Sequence, residues 1–239
     1  MSAITTVGKE VLITGANGGL GLALIEAFLA AGASRVYAAC RNPERLLFDH
    51  PQVEAVDLDV TDQQQVAQVA SRVRVDILVN NAGLNRQQRL LGTEDPEAAA
   101  QEMAVNYFAT LAMMRAFAPT LVERTGAIVN VLSILARVAL PAMGSLCASK
   151  AAALRLTEAA RAELAGQVQV MAVLPGAIDT AMSRGVAGAK ASPRDVADAI
   201  VAGLASGATE VYPDPMALDV AHKLAANRAS TQAYFARYL

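Results

Sequence analysis

Short runs of apolar and β-branched residues alternate along the chain with longer segments that are rich in Ala and Leu and have helical periodicity. The runs predict strands at residues 11–13, 35–39, 53–56, 76–79, 127–132 and 168–174. The segments between them predict helices at 19–31, 62–73, 96–123, 145–165 and 193–205, then a short strand at 210–212 and a helix after Pro215. This regular alternation is typical of βαβ units.

The strand runs are almost continuously hydrophobic, with no alternation of apolar and polar residues. Strands of this kind are buried on both faces, so helices should cover both sides of a parallel sheet. We therefore predict an α/β fold with a doubly wound parallel sheet. No internal repeat, low-complexity tract or Pro/Gly-rich linker divides the chain, so we expect a single domain over residues 1–239.

Composition narrows the class of function. The net charge is −2 with a pI near 5.7, and the basic residues are scattered, which argues against a nucleic-acid partner. No apolar stretch reaches the roughly 18 residues of a membrane span, and the N-terminus lacks a signal-peptide pattern, so we expect a cytoplasmic protein without a membrane partner. The isolated residues Cys40, Cys147, His50 and His222 predict neither a disulfide nor a metal site.

A glycine-rich turn follows the first predicted strand and opens the first predicted helix. Its sequence is Thr-Gly-Ala-Asn-Gly-Gly-Leu-Gly over residues 14–21. Glycines permit a tight turn and a close approach of backbone N–H groups to a pyrophosphate, and the helix N-terminus contributes partial positive charge. The strand-turn-helix context therefore predicts a dinucleotide site.

The spacing of this turn, Thr-Gly-x-x-x-Gly-x-Gly, resembles that of the short-chain dehydrogenase/reductase family. Further segments support the resemblance in the same order as in the family and span nearly the whole chain: residues 57–60 and 80–83, Asn106, Ser133, Lys150 and residues 175–180. The resemblance implies a Rossmann-type domain that binds NADP(H) or NAD(H). The cofactor-binding residues that it implies are Gly15, Asn17, Gly19, Leu20, Gly21, Asp59, Val60, Asn81, Ala82, Gly83, Lys150, Pro175, Gly176, Ile178 and Thr180.

The end of the second predicted strand bears on the choice of nucleotide. Enzymes that prefer NAD place an acidic residue there, on the ribose hydroxyls. In this chain the corresponding position is Cys40, and Arg41 follows with a guanidinium that can bind a 2′-phosphate. We therefore predict NADP(H) as the cofactor. The alternative is that Arg41 is an ordinary solvated loop residue.

The resemblance also implies catalytic roles. Ser133 matches the serine that hydrogen-bonds the substrate carbonyl, Asn106 the asparagine that holds a water, and Lys150 the lysine that lowers the pKa of a catalytic tyrosine. That tyrosine would stand four residues before Lys150, where this chain has Leu146. Leucine has no titratable proton, so proton transfer should be slowed by about two to four orders of magnitude.

Three hypotheses of function follow. The first is an NADP(H)-dependent oxidoreductase that interconverts a ketone and an alcohol on an apolar small molecule, with altered activity because of Leu146. The alternatives are a non-catalytic NADP(H)-binding protein and a non-redox enzyme on the same scaffold. Six apolar residues are expected near the substrate side, where they either line an apolar pocket or belong to the core: Leu84, Leu135, Leu140, Met143, Leu146 and Met182. Surplus apolar positions in helices 96–123 and 145–165 predict a homodimer or homotetramer.

Overall fold

A parallel sheet of seven strands forms the centre of the computed structural model, which describes residues 3–92 and 94–238. The strands are β1 (Glu10–Thr14), β2 (Arg35–Cys40), β3 (Val53–Asp57), β4 (Ile77–Asn80), β5 (Ala127–Val131), β6 (Gln169–Val173) and β7 (Glu210–Val211). Their spatial order is β3-β2-β1-β4-β5-β6-β7. The order reverses between β1 and β4, and sheets of this type bind ligands at the carboxyl ends of the strands beside such a reversal.

Helices follow the strands in the predicted alternation. They are α1 (Gly19–Ala30), α2 (Gln63–Arg72), α3 (Ala98–Met103), α4 (Thr110–Glu123), α5 (Gly144–Glu163), α6 (Pro193–Ser206), α7 (Pro215–Ala226) and α8 (Arg228–Phe235). In the part of the chain that the structure describes, no helix is long and apolar enough to cross a bilayer.

The helices pack in two layers because successive strand residues point to opposite faces of the sheet. Val11 and Ile13 belong to an apolar cluster that includes buried residues of α1 and α6. Leu12, between them, belongs to the cluster that includes residues of α2 and α4. This confirms the predicted doubly wound α/β fold with helices on both faces.

One predicted helix differs from the structure. The pattern predicted a continuous helix over 96–123, whereas the structure has α3, then a π-helical segment at Ala104–Ala109, and then α4. The Thr110 hydroxyl donates to the Asn106 carbonyl at 3.0 Å within this stretch. The π-helical segment differs from its flanking helices in its hydrogen bonding and not in its pattern of apolar residues, so the pattern alone does not reveal it. Such turns are frequent at functional sites.

Candidate active site

The glycine turn is held tightly against the loop that follows β4. Gly15 has a φ of +64°, and a Cβ at this position would lie 2.9 Å from Cα of Ala82. A side chain is therefore excluded by both conformation and space. The close contact brings the predicted phosphate-binding turn and the predicted loop 81–83 together at the carboxyl edge of the sheet.

Thr14 and Asn81 fasten these two loops to each other. The Thr14 hydroxyl accepts hydrogen bonds from the backbone N–H groups of Asn81 and Ala82, both at 3.0 Å. The Asn81 side chain donates to the carbonyl oxygens of Thr14 at 2.9 Å and Gly15 at 3.2 Å. Sequence reasoning did not assign this role to Thr14. The only signal for it is that Thr14 ends β1 directly before Gly15.

The remaining turn residues have distinct surroundings. A Cβ on Gly21 would lie 2.4 Å from the Gly15 carbonyl oxygen, so Gly21 allows the turn to close on itself. A Cβ on Gly19 would lie 3.0 Å from Cγ2 of Thr180. Asn17 is exposed, whereas the Leu20 side chain is buried in the core, which leaves its backbone as the part that can meet a ligand.

The end of β2 combines a buried thiol with an exposed cation. Cys40 is buried and Arg41 is exposed. Cys40 pairs in register with Asp57 of β3, so a carboxylate lies on the neighbouring strand. Sequence reasoning missed this neighbour because the register between β2 and β3 was not predictable.

Asp59 and Val60 follow β3 and are both partly buried. The Asp59 carboxylate accepts from the Thr61 N–H at 2.9 Å and the Thr61 hydroxyl at 2.7 Å. Burial favours a higher pKa for Asp59, but the bonds from Thr61 and the charge of Arg41 outweigh it and hold the pKa below its ordinary value. The Asp59 carboxylate is therefore used in a local turn, and its neighbour Arg41 is near enough to act on it.

Ser133 begins a short 3₁₀ turn directly after β5. Its hydroxyl accepts from the Leu135 N–H at 3.1 Å and donates to the Pro175 carbonyl at 3.4 Å. At 3.4 Å the second bond is longer than a usual O–H···O hydrogen bond and is therefore weak, so the hydroxyl can turn to another acceptor at little cost. The contact joins the ends of β5 and β6.

The loop 175–180 after β6 is fixed from behind by Asp214. This buried carboxylate accepts from the Gly176 N–H at 2.8 Å and from the Ala217 N–H, in the first turn of α7, at 2.9 Å. Further along the loop, the Ile178 carbonyl accepts from the Thr180 N–H at 2.8 Å. Sequence reasoning also missed Asp214, for which the available signal is its place directly before Pro215, where α7 begins.

Lys150 is buried in α5 and reaches the loop 81–83. Its Nζ donates to the Val131 carbonyl at 3.0 Å. A Cβ on Gly83 would lie 3.5 Å from this Nζ and 3.4 Å from Oδ1 of Asn106. Burial lowers the pKa of Lys150 to about 8, although the Glu102 carboxylate opposes the shift.

Asn106 lies in the π-helical segment and is 1% exposed. Its side chain accepts from the Leu84 N–H at 2.9 Å and donates to the Leu84 carbonyl at 2.9 Å. It also donates to the Ser149 hydroxyl at 2.9 Å, and that hydroxyl donates in turn to the Leu146 carbonyl at 2.9 Å. Asn106 therefore connects the loop after β4 with the first turns of α5.

The Leu146 side chain is buried, at 7% exposure. The other predicted pocket residues are less uniform. Leu135 and Leu140 pack against an apolar cluster that includes residues of α7 and α8, whereas Met182 is 47% exposed. For Leu135 and Leu140 the contacts agree with a core role.

The family model described as short chain dehydrogenase matches residues 9–190. The chain belongs to the short-chain dehydrogenase family. A dehydrogenase/reductase SDR family protein 7-like from Anopheles gambiae is 33% identical over 250 residues, covering 91% of this chain and 78% of the relative.

Solved structures of short-chain dehydrogenases share the fold over almost the whole chain. A short chain dehydrogenase from Burkholderia cenocepacia, solved in complex with NADP, is 54% identical, with a TM-score of 0.94 over 97% of this chain and 99% of that one. A short-chain dehydrogenase from Streptomyces avermitilis is 28% identical, with a TM-score of 0.84 over 95% of this chain and 96% of that one. The site described above thus lies in an oxidoreductase scaffold of this family.

Proposed function

We propose that this short-chain dehydrogenase binds NADP(H) and interconverts a ketone and an alcohol on an apolar small molecule, with a proton-transfer step weakened by Leu146. We take the domain to be single over residues 1–239 and the active form to be a homodimer or homotetramer. The observation that carries the proposal is the convergence of the glycine turn, the loop 81–83, Ser133 and Lys150 at one edge of the sheet.

The residues present fit a dinucleotide. A Cβ on Gly15 would lie 2.9 Å from Cα of Ala82, and a Cβ on Gly19 would lie 3.0 Å from Cγ2 of Thr180. Glycine at these two positions leaves the backbone of the turn bare. A bare backbone at a helix N-terminus is the surface that a pyrophosphate needs. The nucleotide, when bound, supplies or accepts a hydride.

The side chains then divide the remaining work. Lys150, with a pKa of about 8, is mainly an ammonium near neutral pH and offers N–H donors to the nicotinamide ribose. Ser133 can exchange its 3.4 Å bond to the Pro175 carbonyl for a bond to the substrate oxygen. Leu146 lies one helical turn before Lys150 on the same face of α5, where it offers apolar contact and no proton.

The preference for NADP(H) is supported by Arg41 beside the uncharged Cys40, and by the NADP held in the Burkholderia cenocepacia relative. Asp57 on the adjacent strand works against it. We give Arg41 the larger effect because it directly follows the position that selects the ribose.

A fluorescence titration tests the preference. NADPH should bind about 10- to 100-fold more tightly than NADH, the equivalent of a charge-assisted hydrogen bond. Arg41→Ala should remove most of this ratio. The matched control is Arg45→Ala, which removes an exposed arginine from the same turn and should leave the ratio unchanged. Equal dissociation constants for the two nucleotides in the unmodified protein would refute the preference.

The engaged hydroxyl of Ser149, which donates to the Leu146 carbonyl, favours a second candidate, a protein that holds NADP(H) without turnover. The Ser149 hydroxyl is already engaged with Asn106 and the Leu146 carbonyl. No spare hydroxyl hydrogen of Ser149 is left to replace a phenol. Mixing the protein with NADPH and a panel of ketones distinguishes the two: loss of the reduced-nicotinamide absorbance supports the oxidoreductase, and binding without that loss supports the second candidate.

A further inference from the structure

Glu102 in α3 is a buried carboxylate whose two oxygens have different surroundings. The residue is 0% exposed, and Oε1 accepts from the Arg86 backbone N–H at 2.6 Å. Oε2 is buried and has no hydrogen-bond partner within residues 3–92 and 94–238. The Arg86 guanidinium pairs with Asp95 at 2.8 Å. A buried carboxyl group keeps its charge where a cation lies nearby.

Helix packing brings that cation close. One turn after Glu102, Asn106 contacts Ser149 of α5 at 2.9 Å, and Lys150 is the next residue of that helix. Lys150 is itself buried, and among the residues that the structure describes its Nζ has one hydrogen bond, to the Val131 carbonyl at 3.0 Å. A buried carboxyl group and a buried amine thus lie on neighbouring helices.

From this arrangement we propose that Glu102 is a positioning residue that keeps Lys150 in its ammonium form. The inference goes beyond the proposed function, because the two side chains interact in the protein without nucleotide. It gives Glu102 two separable roles: its Oε1 holds the backbone at Arg86, and its charge acts on Lys150.

Other ionisable groups around the pair do not supply this charge. Among the described residues, Glu102 is the charged group that acts on Lys150, and it raises the lysine pKa against the larger opposing effect of burial. Burial raises the pKa of the Cys147 thiol in α5, and the charge of Glu102 adds to that shift, so the thiol is neutral. Neutralising Glu102 should therefore release the full effect of burial on Lys150.

The test measures the pKa of Lys150 by NMR in the nucleotide-free protein. The chain has four lysines, Lys9, Lys150, Lys190 and Lys223, so ¹³C-labelled lysine side chains can be assigned by replacing each with arginine in turn. Glu102→Gln keeps an oxygen that can accept from Arg86 but removes the charge. We expect the pKa of Lys150 to fall by about one unit or more from its value in the unmodified protein.

The matched control is Glu97→Gln, which makes the same substitution at an exposed residue beside the start of α3. It should leave the Lys150 titration unchanged. If Glu102 were only a backbone clamp, Glu102→Gln would also leave that titration unchanged, and this result overturns the inference. A fall of equal size in both variants overturns it too, because the effect would then be one of net charge.

A second measurement uses the unmodified protein and covers the case in which Glu102→Gln does not fold. With ¹³C-labelled glutamate carboxyl groups, the Glu102 resonance should report the deprotonation of its neighbour, with a change at the midpoint of the Lys150 titration. A Glu102 resonance that does not change at the Lys150 midpoint overturns the inference. NADPH titrations in parallel separate it from the proposed function: failure to bind NADPH contradicts that function but leaves the lysine result standing.

Discussion

Leu146→Tyr is the substitution that most directly tests the proposed defect. The new phenol would stand one helical turn before Lys150 on the same face of α5. With a lysine pKa of about 8, roughly 90% of Lys150 is ammonium at pH 7. A nearby ammonium lowers the pKa of a phenol from about 10 and makes it a better acid–base group near neutral pH.

The expected gain in the rate of ketone reduction is set against the packing cost of the larger side chain. General acid catalysis by a positioned side chain contributes about 10²- to 10⁴-fold, or roughly 3–5 kcal/mol of barrier. Against this, Leu146 is only 7% exposed, and forcing a larger ring into a packed position costs about 1–3 kcal/mol of stability. The variant should therefore be less stable than the parent but reduce ketones at least about a hundredfold faster.

The assay is NADPH-dependent ketone reduction over a range of pH, with Leu146→Phe as the matched control. Phenylalanine brings the same ring without the hydroxyl, so it reproduces the packing cost and none of the proton transfer. Activity of the tyrosine variant should fall as the pH rises through about 8, where Lys150 loses its charge. Equal rates for the two aromatic variants, both folded and both binding NADPH, would refute the reasoning. High activity of the unmodified protein would refute it as well.

Two further predictions concern nucleotide binding and stability. Gly19→Val should abolish NADPH binding in a fluorescence titration, because its Cβ would lie 3.0 Å from Thr180 and a branched side chain would occupy the predicted pyrophosphate position; normal binding would place the phosphate site in another loop. Asp76 is buried and pairs with Lys9 at 3.1 Å and Arg124 at 2.9 Å. The substitution Asp76→Asn should lower the free energy of unfolding, measured with denaturant at pH 7, by about 2 kcal/mol. Burial tends to raise the pKa of Asp76, but hydrogen bonds from Arg124, the Glu10 N–H and Lys9 lower it overall. The stability that the carboxylate contributes is therefore present above about pH 3.9 and is lost as the pH falls through the lowered pKa. The cost of the Asn variant should accordingly shrink in acid, and a constant cost down to pH 2 would contradict the assignment.

Strand and helix positions were predictable because burial on both faces leaves a direct trace in the sequence. The run 35–39 became β2 with one residue added, and 19–31 became α1 with one removed. The final helix α8 was not predicted, since its eight residues include several polar ones and only Thr231 and Phe235 are buried. The π-helical segment was missed for a different reason: it changes hydrogen bonding without changing the apolar pattern.

Site residues were predictable from the sequence where the backbone requires glycine. They were less predictable where a side chain forms hydrogen bonds with a segment that is distant in sequence. Gly15 has a positive φ and a backbone contact that a Cβ would violate, and such a constraint is visible as a glycine in a motif. Thr14, Glu102 and Asp214 act instead on partners 67, 16 and 38 residues away in sequence. The local sequence, Gly15 after Thr14 and Pro215 after Asp214, does not reveal these partners, because the topology of the fold sets them.

Asn106, which the sequence marked as the residue that holds a water, has a structural role in the fold as well. Its amide nitrogen has two hydrogens, and both are engaged, one by the Leu84 carbonyl and one by Ser149. Its Oδ1 accepts from the Leu84 N–H, which leaves a single lone pair for a water. A water held by this side chain can therefore only donate to it. Asn106 therefore holds the loop beside Gly83 against α5. Because Lys150 lies on the same helix, the position of its ammonium group relative to that loop depends on Asn106.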